Sequence, residues 1–103
     1  MGYEITHSVV DFEILGAYTI RVHFEDGVSR NIDFSDVLGG DVLRPLRDDI
    51  FFKQASISEG IPTLTWPNGA DFNPDHLYDW RHYKPLYIER ASKWEKSNSP
   101  ILA

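Results

Sequence analysis

The chain has 103 residues, enough for one domain with one core, and 42% of them are apolar, which excludes the low-hydrophobicity class of disordered proteins. It contains no cysteine, which excludes disulfides, thiolate zinc ligands and thiol nucleophiles. Residues 1–80 carry five basic and fourteen acidic side chains (−9), whereas residues 81–103 carry five and two (+3), so direct nucleic-acid binding by the body is unfavourable. An acidic body suits a basic partner better.

The N-terminal segment, "MGYEITHSVVDFEI", has neither the basic start nor the continuous apolar run of a signal peptide. Together with the lack of cysteine, this predicts a cytoplasmic protein that has no contact with a membrane. Its apolar residues predict a first strand through Val9 or Val10, then a bend, then a short second piece that ends at Gly16-Ala17.

Residues 18–34, "YTIRVHFEDGVSRNIDF", alternate apolar and polar side chains on either side of a turn, which predicts a β-hairpin. A three-residue loop, Glu25 to Gly27, places apolar residues opposite one another, whereas a two-residue loop pairs apolar with polar residues. The predicted pairs are Phe24 with Val28, Ile20 with Ile32, and Tyr18 with Phe34. Arg30 then falls on the core side opposite Val22, where its long side chain would reach the sheet edge.

Residues 35–54 have short apolar groups punctuated by Ser, Asp, Gly and Pro, which predicts short helical turns, each begun by a Ser or Asp cap. The segment "QASISEGIPTLTW" then predicts a second hairpin. It pairs Ile57 with Leu64 and Ala55 with Trp66, and its loop runs from Glu59 to Pro62 because Pro62 has no N–H to donate.

The next stretch, "TWPNGADFNPDHLYDW", contains a tight turn followed by a helix start. Trp66 is predicted to face the core, and Asn68-Gly69 supplies a turn tolerant of positive φ. Asn73 is the expected N-cap and Pro74 the first helical residue. Phe72 and Leu77 have the spacing of a hydrophobic staple, so the helix is expected to pack back on the sheet through Leu77, Tyr78 and Arg81.

This stretch resembles the DUF2442 family of small bacterial domains of unknown function, and the resemblance covers roughly residues 5–80. The matching pattern is Trp66, Asn68, Gly69, Asp71, Pro74, Leu77 and Tyr78. The resemblance implies a compact α+β domain with antiparallel strands. Members are often encoded beside another small protein in a pair resembling a toxin and its antitoxin, and some are fused to a DNA-binding helix-turn-helix domain.

The candidate chemistry of this region is limited. Asp71 is expected to accept backbone N–H bonds from the turn or from the helix start. Asp75, Asp79 and His82 lie three or four positions apart on the predicted helix, which leaves open a divalent-cation or small-ligand site on the face of these three residues and Asp71. No spacing matches a recognised metal, cofactor or nucleophile motif, so no cofactor and no catalytic residue are expected.

The C-terminal segment, residues 84–103, is predicted to be a basic amphipathic tail attached to a domain of residues 1–83. Tyr87, Ala91 and Trp94 have helical spacing, and Ser97 to Pro100 would end the helix. Its aromatic residues either pack on the domain or, with Arg90, contact a partner. Tyr87, Arg90 and Trp94 are therefore the candidate contact residues.

The sequence as a whole predicts a small α+β domain with an N-terminal strand, two antiparallel hairpins, short helical turns, a capped helix and a C-terminal amphipathic helix. The favoured function is a non-enzymatic protein-interaction module, similar to an antitoxin that binds a basic protein. A metal-dependent or ligand-binding protein and an accessory domain of a nucleic-acid regulator are the alternatives. The oligomeric state is open, because an exposed sheet edge pairs with itself as readily as with another chain.

Overall fold

A computed structural model describes residues 6–97, with side chains through Lys93. The strands are β1 (Val9–Gly16), β2 (Thr19–Phe24), β3 (Ser29–Asp33), β4 (Ser56–Ile57) and β5 (Leu64–Thr65). The α-helices are α1 (Gly40–Leu43), α2 (Asp49–Phe52), α3 (Pro74–Tyr78) and α4 (Trp80–Ser97), and a 3-10 turn at Arg44–Arg47 joins α1 to α2.

Two antiparallel sheets form the β part of the fold, a three-stranded sheet of order β1-β2-β3 and a two-stranded sheet of β4 and β5. The predicted α+β architecture is confirmed. A single strand begins at Val9 and runs to Gly16 along β2, so the predicted bend after Val10 does not divide it. The start of the predicted first piece lies outside the described residues. The sequence irregularity read as a bend corresponds to a register shift between Val9 and Asp11, which changes the pairing without ending the strand.

The first hairpin has the predicted register. Ile20 pairs with Ile32, Val22 pairs with Arg30, and the Phe24 N–H donates to the Val28 carbonyl at 2.8 Å. Gly27 has φ +92°, the left-handed conformation that a three-residue hairpin loop requires of its last residue.

The middle of the chain forms the predicted short helical turns. Asp48 caps α2 by accepting from the backbone N–H groups of Ile50 and Phe51, as the sequence predicts. In contrast, α1 follows Gly39 and the 3-10 turn follows Leu43, both without a side-chain cap, so the prediction of a Ser or Asp cap is wrong for these two turns. The second hairpin pairs Ile57 with Leu64 as predicted.

The second hairpin is shorter than predicted. Its ladder ends at Ser56 and Thr65, and the Trp66 N–H donates to the Ala70 carbonyl instead of continuing toward Ala55. Trp66 therefore belongs to the following turn, because that turn satisfies its backbone.

The core is a cluster of aromatic rings between the inner face of the three-stranded sheet and the helices. Phe34 lies at its centre, with ring centroids 4.9 Å from Phe72, 5.5 Å from Trp80 and 6.4 Å from Trp66. These side chains are buried, together with aliphatic residues of the strands. Burial of large aromatic rings supplies much of the stability of a core of this size.

The C-terminal helix is longer than predicted. It begins at Trp80 and continues without interruption across the predicted boundary after Tyr83 to Ser97, with Pro85 inside it. A separate helix, α3, ends at Tyr78, so Arg81 lies exposed on α4 rather than on the face of the capped helix that packs on the sheet. None of the helices in residues 6–97 is long and apolar enough to cross a membrane.

We expect the Asn73→Ala substitution to destabilise the domain by about 1 kcal/mol, the usual cost of removing an N-cap. The Asn73 side chain accepts from the Asp75 N–H at 2.8 Å, and Pro74 occupies the first helical position, as predicted. Thermal unfolding followed by circular dichroism measures the change. Asn73→Ser, which keeps an acceptor, is the control, and an equal loss for both substitutions would contradict a capping role.

Candidate functional site

The corner between β5 and α3 is built by backbone and side-chain hydrogen bonds that surround Trp66. The Trp66 Nε1–H donates to the Phe52 carbonyl at 2.9 Å, which ties the corner to α2. The Thr63 hydroxyl donates to the Phe72 carbonyl. Leu77, a residue of α3, is fully buried. The predicted role of Trp66 as a core anchor agrees with this geometry.

The Asn68-Gly69 turn is held by the Asn68 side chain. Its Oδ1 accepts from the Ala70 N–H at 3.1 Å and its Nδ2 donates to the Val42 carbonyl at 2.8 Å, while Gly69 has φ +89°. The Asp71 carboxylate was predicted to accept backbone N–H bonds from this turn or from the helix start. In the structure its backbone forms a bridge to Thr65 and its side chain is exposed, because the amide of Asn68 already closes the turn.

A second group of polar side chains joins three parts of the chain near the N-terminus of α3. The His7 Nδ1 lies 2.9 Å from the Asp75 Oδ1, and the backbone N–H groups of Thr6 and His7 donate to the same carboxylate. The His7 ring stacks on Tyr78 with centroids 3.5 Å apart. Tyr78 in turn donates to Asp26 at 2.6 Å. We call His7, Asp26, Asp75 and Tyr78 the clasp, because they fasten the N-terminal segment and the β2–β3 turn to α3.

Electrostatics within the clasp favour charged carboxylates. The hydrogen bond from Tyr78 and the Val28 N–H lower the pKa of Asp26, and the same hydrogen bond raises the pKa of Tyr78. Burial by itself would raise the pKa of Asp75, but hydrogen bonds from Thr6 and His7 outweigh burial and lower it. Arg30 completes the group, since its guanidinium lies 5.0 Å from the Tyr78 ring centroid and donates to the Tyr78 carbonyl.

The clasp has the carboxylate and imidazole that acid–base chemistry uses, but its geometry favours a structural role. His7 is stacked on one aromatic ring and bonded to one carboxylate, and both His7 and Asp75 side chains are 28% exposed. The adjoining depression, about 480 Å³, is shallow and lined partly by Phe24 and Glu25. The groups are therefore occupied with holding three segments together.

We expect acid to weaken the fold through Asp75. Because the folded pKa lies below the unfolded value of about 3.9, this carboxylate stabilises the fold above that pH and the contribution is lost as pH falls through the folded pKa. Asp75→Asn should therefore lower stability at pH 7 and reduce the difference between pH 7 and pH 3. Urea unfolding at both pH values measures it. Asp79→Asn, which changes an exposed carboxylate nearby, is the control, and equal effects would contradict the role of the clasp.

The outer face of the three-stranded sheet carries a line of polar contacts. The His23 Nε2 lies 2.9 Å from the Glu13 Oε2, and its Nδ1 lies 2.7 Å from the Ser29 Oγ. The hydrogen bond from His23 is the largest cause of the lowered pKa of Glu13. A serine, histidine and carboxylate in line resemble a hydrolase triad, yet they lie on a solvent-exposed sheet face, and the depressions of about 350 to 500 Å³ are lined by other residues. We interpret them as cross-strand pairs.

The residues of the alternative cation site are not gathered into one site. Asp75 is bound to His7, whereas Asp71, Asp79 and His82 are exposed. Asp79 separates α3 from α4, so the single helical face on which the prediction depended is broken. Among residues 6–93, whose side chains the structure describes, no group of three His, Asp or Glu side chains is arranged to hold a metal ion.

The candidate contact residues on α4 have different environments. Tyr87 is half-buried, its ring centroid lies 5.4 Å from Trp80, and its hydroxyl lies 2.8 Å from the His76 Nδ1, so it packs on its own domain. Burial is the first cause, and the Arg90 charge the second, of the lowered pKa of His76. Arg90 is exposed above the Tyr87 ring. The side chain of Trp94 lies outside the described residues, and partner contact by Arg90 and Trp94 stays a prediction.

The model of the family described as "Protein of unknown function (DUF2442)" matches residues 9–83, well over half of the chain. The chain belongs to the DUF2442 family. No curated protein and no solved structure matches it. The DUF2442 match includes the corner, α3, and Asp26, Asp75 and Tyr78 of the clasp, and it ends inside α4.

The clasp is the part of this DUF2442 domain that sequence reasoning missed. His7 and Asp75 are 68 positions apart, and Asp26 and Tyr78 are 52 apart, so no local spacing signals either pair. Tyr78 was predicted to pack back on the sheet and Asp75 was a candidate cation ligand, but neither prediction identified the contacts that these residues make in the clasp. The one local signal was His7, an ionisable residue just before the first strand. Its position alone does not show which side chain it contacts.

Proposed function

We propose that this DUF2442 domain is a non-enzymatic protein-interaction module that binds a small basic protein, in the way that an antitoxin binds and masks its partner. The observation that carries the proposal is the outer edge of β1. Among residues 6–97, no strand pairs with that edge. Its one backbone contact within these residues is at the start of the strand, where the Val9 N–H donates to the Pro62 carbonyl. An exposed strand edge is a ready surface for an added strand of another protein.

The side chains along this edge support a partner that is both basic and apolar. Val10 is 55% exposed and Leu15 is 44% exposed, while Asp11 and Glu13 lie between them. Glu25 and Asp26 lie in the adjoining turn, whose Glu25 N–H donates to the Ser8 carbonyl. The Asp11 and Glu25 carboxylates and the −9 balance of residues 1–80 favour basic side chains on the incoming strand.

Pairing with a second copy of β1 is disfavoured by the same charges. Two antiparallel β1 strands would bring Asp11 and Glu13 of one copy close to the same residues of the other. Like charges on adjacent strands are destabilising. The charges of the β1 edge therefore disfavour pairing with a second β1 strand and favour pairing with a basic strand.

Co-expression with the product of each neighbouring gene, followed by affinity purification, tests the proposal. We expect a complex at low salt that weakens as salt increases, because charged contacts are screened. No complex with either neighbouring gene product at low salt would refute the proposal.

A pair of charge reversals locates the contact. Asp11→Lys should weaken the complex, whereas Glu59→Lys, the same change of charge in the exposed loop of the second hairpin, should not. Equal losses would show that net charge, and not the β1 edge, holds the partner.

A further inference from the structure

The side of α4 that faces away from the core carries a surface that the interaction at β1 does not use. Trp80, Tyr87 and Ala91 point toward the body, where the Ala91 backbone and Cβ lie against Gly39. The outward side forms a shallow depression of about 500 Å³ lined only by residues of α4. We call Arg81, Pro85, Ile88 and Glu89 the outer face.

The composition of the outer face is not explained by the stability of the helix. Pro85 lies inside an 18-residue helix, where it removes one backbone N–H and crowds the carbonyl of Arg81. Its ring is exposed, so it contributes no packing to the core. Ile88 beside it is 37% exposed. An unfavourable residue and an exposed apolar side chain in the same patch are typical of a surface that another molecule covers.

The charges of the outer face are arranged symmetrically about Pro85. Arg81 lies four positions before it and Glu89 four positions after it, so all three belong to one ridge of side chains along the helix. If a second α4 crosses this one in the antiparallel sense with a two-fold axis at Pro85, Arg81 of each copy lies opposite Glu89 of the other. A two-fold axis makes every such contact twice.

We propose that the outer face is the contact surface of a homodimer, in which two α4 helices pack antiparallel around Pro85 and pair Arg81 with Glu89 across the axis. When ridges formed by residues four positions apart on each helix interdigitate, the two helix axes cross at about −50°, the commonest crossing angle in globular proteins. Glu89 already lies 3.6 Å from Lys93 of its own helix, and that exposed pair is weak enough to share its carboxylate with Arg81 of the second copy.

A second copy fits the outer face better than nucleic acid does. Arg81, Lys84 and Lys93 would attract phosphates, but the Glu89 carboxylate lies among them and the acidic body adjoins them. In the dimer the same carboxylate is the acceptor of the pair. The proposal concerns the chain alone, so it is independent of whether a basic partner binds at β1.

Sedimentation velocity of the full chain over a range of concentrations tests the dimer. We expect Arg81→Glu and Glu89→Arg each to weaken dimerisation on the order of tenfold, because each turns two attractive pairs into two repulsive ones. The double variant Arg81→Glu/Glu89→Arg should restore the dimer. An equimolar mixture of the two single variants should form a heterodimer, since each then supplies the charge that the other lacks.

Arg90→Glu is the matched control, because Arg90 lies on the opposite side of the same helix, about 160° around the axis from the outer face. It should leave the dimer unchanged. A chain that is monomeric at every concentration would overturn the proposal, as would a dimer that survives both single reversals or one that Arg90→Glu weakens equally. A monomer that binds duplex DNA only while Arg81 is present would assign the outer face to phosphate instead.

Discussion

Gly39→Ala is expected to lower the stability of the domain by about 1–3 kcal/mol, the usual cost of overpacking a close contact. A Cβ at position 39 would lie 2.9 Å from the Ala91 Cβ, 3.0 Å from its Cα and 3.1 Å from its carbonyl oxygen. Two of these atoms are backbone, so relief requires α4 to move as a whole. Gly39 has φ −123°, an ordinary extended conformation, so backbone strain does not contribute.

Thermal unfolding measures the effect, and each kcal/mol corresponds to about 4–8 °C for a domain near this size. Gly60→Ala is the matched control, because a Cβ there meets no atom within 4 Å and should change little. Ala91→Gly added to Gly39→Ala should recover part of the loss by removing the closest atom. If Gly39→Ala changes the stability as little as Gly60→Ala does, α4 does not pack closely against Gly39 in the loop before α1.

Trp66→Phe is expected to cost more stability than Trp80→Phe, although both replace a buried indole by a smaller ring. The Trp66 Nε1–H donates to the Phe52 carbonyl, and its loss leaves a buried acceptor unsatisfied, at about 1–3 kcal/mol in addition to the lost packing. The Trp80 Nε1–H has no hydrogen-bond partner among the described residues, so Trp80→Phe removes no such bond.

Urea unfolding measures the difference in stability between Trp66→Phe and Trp80→Phe. Because both substitutions remove the same ring volume, the difference reports on the hydrogen bond. Trp66→Ala should cost about 3–5 kcal/mol, which would take much of the stability of a small domain. If Trp80→Phe costs as much as Trp66→Phe, the hydrogen bond is not what anchors the corner. A folded Trp66→Phe variant that still binds the proposed basic partner would support a scaffold role for the corner.

The Trp66 substitutions test whether the family pattern at the corner between β5 and α3 builds the fold. Trp66, Asn68, Pro74 and Leu77 are committed to burial, turn closure and the helix start. The surfaces proposed for function, the β1 edge and the outer face of α4, lie largely outside that pattern. The residues of that pattern are therefore not those that we expect to select a partner.

Local features of the sequence were sufficient to predict the first hairpin and the capped helix. Alternation over residues 18–34 leaves one register that pairs apolar with apolar side chains, and Gly27 fits the only loop that this register allows. Asn73 and Pro74 similarly mark a helix start within two positions. In such segments the stabilising contacts are close in sequence, so their spacing can be read directly.

Other features depended on contacts that local spacing does not encode. The helix across Tyr83 was missed because Pro85 is a poor helix former, yet Trp80 and Tyr87 pack on the core on either side of it and hold the helix together. The clasp was missed because its members come from three distant segments.

By itself the sequence determined the apolar face and register of the first hairpin, the capped helix, and the division between an acidic body and a basic end. These follow from periodicity, turn chemistry and charge, each of which acts over a few residues. Only the tertiary structure decided that His7 meets Asp75, that α4 rests on Gly39, and which sides of β1 and α4 remain uncovered. Those outcomes depend on how rigid elements pack, and packing brings together side chains whose separation along the chain carries no signal.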